Sequence, residues 1–158
     1  MIVRRRVPNE VLLPEVERML SEGLTVTLRT KGSSMLPFIV GDRDSVVLQY
    51  PRDLKVGDIV LARVGEGRYY LHRIIALKDD KVRLMGDGNV KGTEVCRLSE
   101  VCGKVKVIVR NGKEVNPEGY GERCRVWWWR KLLPFRRILL GVYRRIRWGK
   151  AVLRTEGG

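Results

Sequence analysis

Hydrophobic and polar residues recur with two different periods along this chain, and each period predicts its own kind of element. Residues 9–23 place apolar side chains at helical spacing and end at Gly23, which predicts a short amphipathic helix. From residue 24 onward, apolar residues tend to alternate with polar ones in short runs, which is the period of half-buried strands. The runs are LTVTLRT, SVVLQY, GDIVLARV, RYYLHRIIAL, KVRLMG, VCGKVKVIV and EV, the last two hinged at Asn111-Gly112. We therefore expect a mainly β (α+β) fold, a small barrel or sandwich of short antiparallel strands with an N-terminal helix.

The pattern changes again near Arg123, where the chain becomes basic and rich in tryptophan. A helix that starts near Pro134 would carry arginines on one face and apolar residues on the other. The arginines are Arg136, Arg137, Arg144 and Arg147, and the apolar residues are Phe135, Ile138, Leu139, Val142 and Ile146. We therefore divide the chain into a folded domain, residues 1–122, and a C-terminal segment, residues 123–158.

The distribution of charge points to an anionic partner. The 158-residue chain has a formal net charge of +14, and 11 lysines and arginines but no acidic residue lie between Arg123 and Thr155. A basic helix with aromatic residues is typical of binding in the headgroup plane of an anionic membrane, which we expect for this segment. The alternatives are a helix packed on its own domain and a nucleic-acid-binding segment, although no known reader motif accompanies it.

Cysteine and histidine are too few for a metal centre or a disulfide framework. Cys96, Cys102 and Cys124 form no Cys-x-x-Cys pair, and His72 is the single histidine, so we expect no cofactor and no metal. No run of about 20 uninterrupted apolar residues is present, such as a membrane-spanning helix needs. We expect a cytoplasmic protein, soluble or peripheral at the membrane; the oligomeric state stays open.

The segment KGSSMLPFIVGD, residues 31–42, contains two serines within what would otherwise be a simple turn. A serine hydroxyl becomes a useful nucleophile when a base takes its proton, and His72 is the one histidine that could do so. It lies in a predicted strand that could return alongside Ser34. Asp42, after Gly41, is expected to brace a turn rather than to act in catalysis.

Four landmarks in order resemble the signal peptidase I group of serine peptidases and their relatives, the self-cleaving repressors. The Gly-x-Ser-Met-x-Pro segment of that group corresponds to residues 32–37, followed by Gly41-Asp42. LKVGDIVLARV is similar to its Gly-Asp-Ile-Val strand, LHRI to the Val-His-Arg-Val/Ile of the archaeal and endoplasmic-reticulum branch, and MGDGN to its Lys-Gly-Asp-x-Asn. The resemblance covers residues 32–89 and extends weakly to VCGKV.

The resemblance implies a role for each matching residue. Ser34 would be the nucleophile, its backbone N–H would help hold the oxyanion, and His72 would take the place of the general base, which is a lysine in the bacterial branch. Asp87 would orient the histidine. The chain departs from the family at NVKGTEVCRL, where the usual acidic pair is missing, so either Asp87 acts alone or Glu94 substitutes.

The expected function is that of a serine endopeptidase that cleaves a peptide or preprotein at or near a membrane surface. A leader-bearing peptide made in the cytoplasm fits the missing apolar span better than a secreted preprotein. Two alternatives are a non-catalytic binding module on the same fold and a nucleic-acid-binding protein that acts through its basic segment.

Overall fold

A computed structural model describes residues 9–155, with side chains from Leu12 to Trp148. It contains eight strands and three α-helices. The helices are α1 (Asn9–Ser21), α2 (Tyr120–Lys131) and α3 (Arg136–Thr155), with short 3-10 helices at Leu98–Glu100 and Leu133–Phe135. The strands are β1 (Val26–Arg29), β2 (Ser45–Gln49), β3 (Ile59–Val64), β4 (Arg68–Lys78), β5 (Lys81–Met85), β6 (Glu94–Arg97), β7 (Val101–Arg110) and β8 (Lys113–Val115).

All strand pairings are antiparallel and build one curved sheet in the order β1-β2-β7-β3-β4-β5-β6, with β8 paired to β7. The sheet forms a half-barrel, and β1 and β6 are the strands at its two ends. This confirms the expected mainly β fold of antiparallel strands. Sequence periodicity did not identify β6, which follows the turn-rich segment 86–93.

Both faces of the sheet are buried at its centre. Ile59 and Leu61 of β3 contribute to one apolar cluster, whereas Val60 and Ala62 contribute to a second cluster. Successive residues of a strand point to opposite faces, so an uninterrupted apolar run at β3 is what a strand covered on both sides requires.

Helix α1 covers the first cluster, as its apolar spacing predicts. Val16 and Leu20 are fully buried, and Leu20 meets β7 at Gly103, where an added Cβ would lie 2.7 Å from its Cδ1 atom. Gly23 ends the helical turn with a φ of +85°, a conformation that glycine adopts without strain. The predicted N-terminal helix is confirmed.

The C-terminal segment forms two helices rather than the single helix predicted near Pro134. Helix α2 begins at Tyr120, and the Leu133–Phe135 turn separates it from α3. The Arg110 guanidinium of β7 holds Glu122 of α2 through two hydrogen bonds of 2.9 and 3.0 Å. Within residues 9–155, no helix combines the length and apolarity that crossing a membrane demands.

Candidate active site

The segment between β1 and β2 forms a closed loop, which we call the serine loop (residues 30–44). Its ends are joined by backbone hydrogen bonds, including one from Asp42 N to Thr30 O of 2.8 Å. Gly41 lies against Gly32 so closely that an added Cβ would be 2.2 Å from the Gly32 carbonyl oxygen. Asp42 has a φ of 62° and lies in the turn itself, in a left-handed conformation that aspartate adopts more readily than most residues.

Apolar side chains anchor this loop and leave its serines near the surface. Met35, Phe38 and Ile39 belong to the first apolar cluster and are each less than 5% exposed. Ser33 is exposed, whereas Ser34 is half-buried. The loop therefore presents one serine in a partly enclosed, rigidly anchored position, as a nucleophile requires.

His72 lies on β4, opposite Val60 of β3, and its side chain is almost completely buried. Its Nδ1 atom lies 2.8 Å from Oε2 of Glu94, the first residue of β6. An ionised carboxylate can only accept hydrogen bonds, so Glu94 favours the tautomer in which Nδ1 carries the proton. Nε2 is then left with a lone pair that can accept a proton from another group.

Ser34 and His72 meet at Gly86, in the segment that follows β5. An added Cβ at Gly86 would lie 2.3 Å from the Ser34 carbonyl oxygen and 3.0 Å from His72 Nε2. Those two atoms are therefore no farther apart than the sum of the two distances. Gly88 N also donates to Ser34 O at 2.8 Å. The fold thus brings together the serine and histidine that the sequence singled out, although no hydrogen bond joins their side chains.

Asp87 does not contact His72 through its carboxylate, contrary to the expected role. Its two oxygens accept hydrogen bonds from Arg73 Nε and Nη2 at 2.8 and 2.6 Å, and both side chains are buried. Arg73 also donates to the Gly57 carbonyl and lies over the Phe38 ring of the serine loop. Asp87 therefore joins the segment after β5 to Arg73 of β4, which itself lies against the serine loop, while Glu94 occupies the position beside the histidine.

A β-bulge explains which carboxylate reaches which side chain. The β4–β5 hairpin starts with Lys78 opposite Lys81, and continuing that register would set His72 opposite Asp87. The register shifts between Ile74 and Ala76, so Met85 lies opposite Arg73 instead. The shift places Gly86 level with His72 and turns Asp87 to the face of Arg73.

Glu94 reaches the histidine from the next strand. It lies opposite Leu84 of β5, which lies opposite Ile74 of β4. Paired residues share a face of the sheet, as do residues two apart on one strand, so Glu94 and His72 are on the same face. The segment TEVCR gives no period-2 signal for this strand in the sequence, because Val95 and Cys96 are both apolar although only Cys96 is buried.

The C-terminal helices pack directly against both loops of the site. Trp129 of α2 donates from Nε1 to the Asp87 carbonyl at 2.8 Å, and Arg136 of α3 donates to the Asn89 carbonyl at 3.3 Å. Leu140 of α3 forms a small buried cluster with two apolar residues of the serine loop. Arg136 was expected on the solvent face of its helix but is 4% exposed, and burial lowers the pKa of its guanidinium.

A cavity of about 1410 Å³ opens beside the candidate residues. Ser34 and His72 lie on its wall together with mainly apolar side chains from α1, β1, β3 and β4. Because β1 is an end strand of the sheet, its outer backbone edge faces no other strand in the part of the chain described. An unpaired strand edge is a general site for the addition of an extended peptide as a further strand.

None of these features provides a metal site. Among residues 9–155, no three histidine, cysteine or acidic side chains are grouped closely enough to hold an ion. All three cysteines are free, and burial raises the pKa of the Cys96 thiol to about 11 and that of Cys102 to about 12.

Comparison with known families agrees with this geometry. The family model described as Peptidase S24-like matches residues 7–106, which is more than half of the chain. The chain belongs to the Peptidase S24-like family. This family comprises self-cleaving repressors and signal peptidase-like serine peptidases, so the suspected kinship is confirmed.

The family match contains the whole candidate site. Ser34, His72, Asp87 and Glu94 all lie within it, whereas α2 and α3 of this S24-like chain lie beyond residue 106. No curated protein gave a significant match to the sequence. Membership supports a serine peptidase-like fold.

Proposed function

We propose that this protein is a serine endopeptidase in which Ser34 is the nucleophile, His72 the general base and Glu94 the group that orients the base. The observation that carries the proposal is the junction at Gly86, where the serine backbone and the imidazole converge while Glu94 holds the far side of the ring. Glu94 thereby replaces Asp87 in the mechanism suggested by the sequence.

The reaction is acyl transfer followed by hydrolysis. His72 Nε2 takes the Ser34 hydroxyl proton as Oγ attacks the scissile carbonyl carbon, and the same proton then passes to the departing amine. Water, deprotonated by the imidazole, releases the acyl group in the second half of the reaction. The mechanism requires a hydrogen bond from Ser34 Oγ to His72 Nε2 in the substrate complex, and such bonds are often long in unliganded sites and tighten when substrate binds.

The oxyanion is stabilised by the serine loop itself. Among the described residues, the Ser34 backbone N–H has no hydrogen-bond acceptor, so it is available for the developing negative charge. The Gly88 N–H meanwhile donates to the Ser34 carbonyl, which belongs to the next peptide unit, and so holds the backbone of the serine in place. A donor held in place before the reaction costs no reorganisation when the charge forms.

The substrate in this proposal is an extended peptide with apolar side chains near the cleaved bond. The cavity wall includes Val26 and Leu28 of β1 and Tyr69 and Leu71 of β4 as well as the candidate nucleophile. A leader-bearing peptide presented at a membrane surface belongs to the same proposal. The cytoplasmic location and the division into residues 1–122 and 123–158 stay predictions.

A peptide-library digestion read by mass spectrometry tests the proposal. We expect the wild-type protein to cut extended peptides, and we expect Ser34→Ala and Glu94→Gln to lower the rate by about 10²-fold or more. Ser33→Ala is the matched control, because Ser33 is the exposed neighbour in the same loop. A protein that folds and binds peptides but cuts none would instead be the non-catalytic module.

A further inference from the structure

Helix α3 contacts the rest of the protein with one side and leaves its apolar face uncovered. Arg136 and Leu140 are 4% and 2% exposed, which defines the docked side. The apolar residues expected from the sequence lie on another side, and we call them the exposed stripe. They are Ile138, Leu139, Val142 and Ile146 of α3, with exposures of 67%, 37%, 50% and 57%, together with Phe135 of the turn just before the helix, which is 58% exposed.

The surroundings of the exposed stripe are basic. Arg137, Arg144, Arg145 and Arg147 of α3 are all exposed, and among the described residues none of them forms a salt bridge. The whole segment from residue 123 to residue 155 has no acidic residue to balance them. A partner that covers this surface must therefore offer both an apolar region for the exposed stripe and negative charge for the arginines.

These two requirements favour a lipid surface over the other candidate occupants. A second copy of α3 would bring its own arginines against these, and like charges in contact repel. Nucleic acid would satisfy the arginines but would leave the aliphatic stripe in water, since its phosphates offer no apolar surface. An anionic bilayer supplies acyl chains and headgroup phosphates at adjacent depths.

The neighbouring helix α2 presents side chains suited to the same environment. Trp127 and Trp128 are 54% and 63% exposed, and their rings contact each other edge to face. Indoles favour the membrane–water interface because they combine an apolar body with a polar N–H group.

We propose that α3 lies in the plane of an anionic bilayer, with the exposed stripe among the acyl chains and its flanking arginines at the phosphates. This inference rests on the membrane part of the proposed function and does not depend on catalysis. The docked side of the same helix contacts the serine loop through Leu140 and the Asn89 carbonyl through Arg136. The helix that binds the bilayer is thus in direct contact with both loops of the candidate site.

Vesicle flotation with the full chain tests the proposal. We expect binding to vesicles of phosphatidylcholine mixed with phosphatidylglycerol, weakened by salt, and much weaker binding to phosphatidylcholine alone. Ile138→Glu combined with Val142→Glu should weaken binding by more than about tenfold, because both charges enter the apolar layer. The matched control is Leu24→Glu with Val56→Glu, which changes two exposed apolar residues outside α3 and should retain more binding.

The possible outcomes separate this inference from the catalytic one. Ser34→Ala should float like the wild type whether or not the protein is an enzyme. Equal binding by the stripe variant and the control variant would overturn the proposal, as would equal binding to neutral and anionic vesicles. Retention on duplex DNA that survives the stripe substitutions, without vesicle binding, would overturn it in favour of nucleic acid.

Discussion

Replacing Asp87 by asparagine distinguishes a structural carboxylate from a catalytic one. Its side chain is 3% exposed and that of Arg73 is 5% exposed, so solvent screens the pair little. The substitution removes the negative charge and leaves the buried guanidinium with the Gly57 carbonyl as its remaining strong acceptor. Removing one partner of a buried ion pair typically costs about 3–5 kcal/mol, and we expect a loss of that size for Asp87→Asn.

Glu94→Gln should lower the stability less than Asp87→Asn does and the activity more. Glu94 is partly exposed and pairs with one imidazole, so the loss of stability should be within about 1.5 kcal/mol. Its effect on activity should be larger than that of Asp87→Asn measured where both variants are fully folded. Replacing both members of the buried pair, as in Arg73→Met with Asp87→Leu, should recover much of the lost stability because no buried charge is left unpaired.

Urea denaturation gives the stabilities, and the rate of covalent labelling of Ser34 by a fluorophosphonate reports the activity. Glu15→Gln, which breaks an exposed ion pair with Arg18 on α1, serves as the control and should change neither quantity measurably. If Asp87→Asn kept its full stability and lost all labelling, the role assigned to Arg73 would be refuted. Asp87 would then have to act on the histidine.

Three further predictions concern the surroundings of the site. Trp129→Phe removes a 2.8 Å hydrogen bond to a loop carbonyl, so both the stability, by about 1–2 kcal/mol, and the labelling rate should fall; unchanged values would contradict a positioning role. The hydrogen bonds from Arg110 lower the pKa of Glu122, so this pair stabilises the fold above about pH 4.3 and loses its effect as the pH falls through the lowered value. Glu122→Gln should therefore flatten the acid side of a melting-temperature profile, and an unaltered slope would count against the pair. Cys96 and Cys102, with pKa values raised to about 11 and about 12 by burial, should resist iodoacetamide at about pH 8 until denaturant is added. Peptide mapping separates them from the half-buried Cys124, and rapid alkylation of Cys96 or Cys102 in the native protein would disprove their protection.

The sequence was sufficient for most of the strands, and its motifs singled out two residues that the fold brings close together, because both signals are local. Short alternating or continuously apolar runs mark β1 through β5, and the landmarks around Ser34 and His72 are short motifs. Strand β6 was not predicted because it has only four residues and begins directly after a turn-rich stretch. Helix α2 was not predicted because its arginines and tryptophans do not separate clearly into a polar and an apolar face.

The carboxylate partner of His72 could not be predicted from local pattern alone. In a hairpin of regular register, Asp87 would lie opposite His72. One extra residue near Ile74 shifts the register, so that the Asp87 side chain lies on the face of Arg73 instead. Such a bulge leaves no clear mark in the sequence, yet it moves every later side chain of the strand to the opposite face. Burial of Arg136 was missed for a similar reason, since helical periodicity does not say which side of α3 faces the protein.

The central claim is that Ser34 is activated by His72, and site-resolved labelling tests it most directly. The wild-type protein would be treated with a peptidyl phosphonate, digested and examined by tandem mass spectrometry, with His72→Ala alongside. If His72 activates Ser34, we expect an adduct on Ser34 in the wild type and its near-complete loss in His72→Ala. An adduct on Ser33, or labelling of Ser34 that persists without the imidazole, would contradict it.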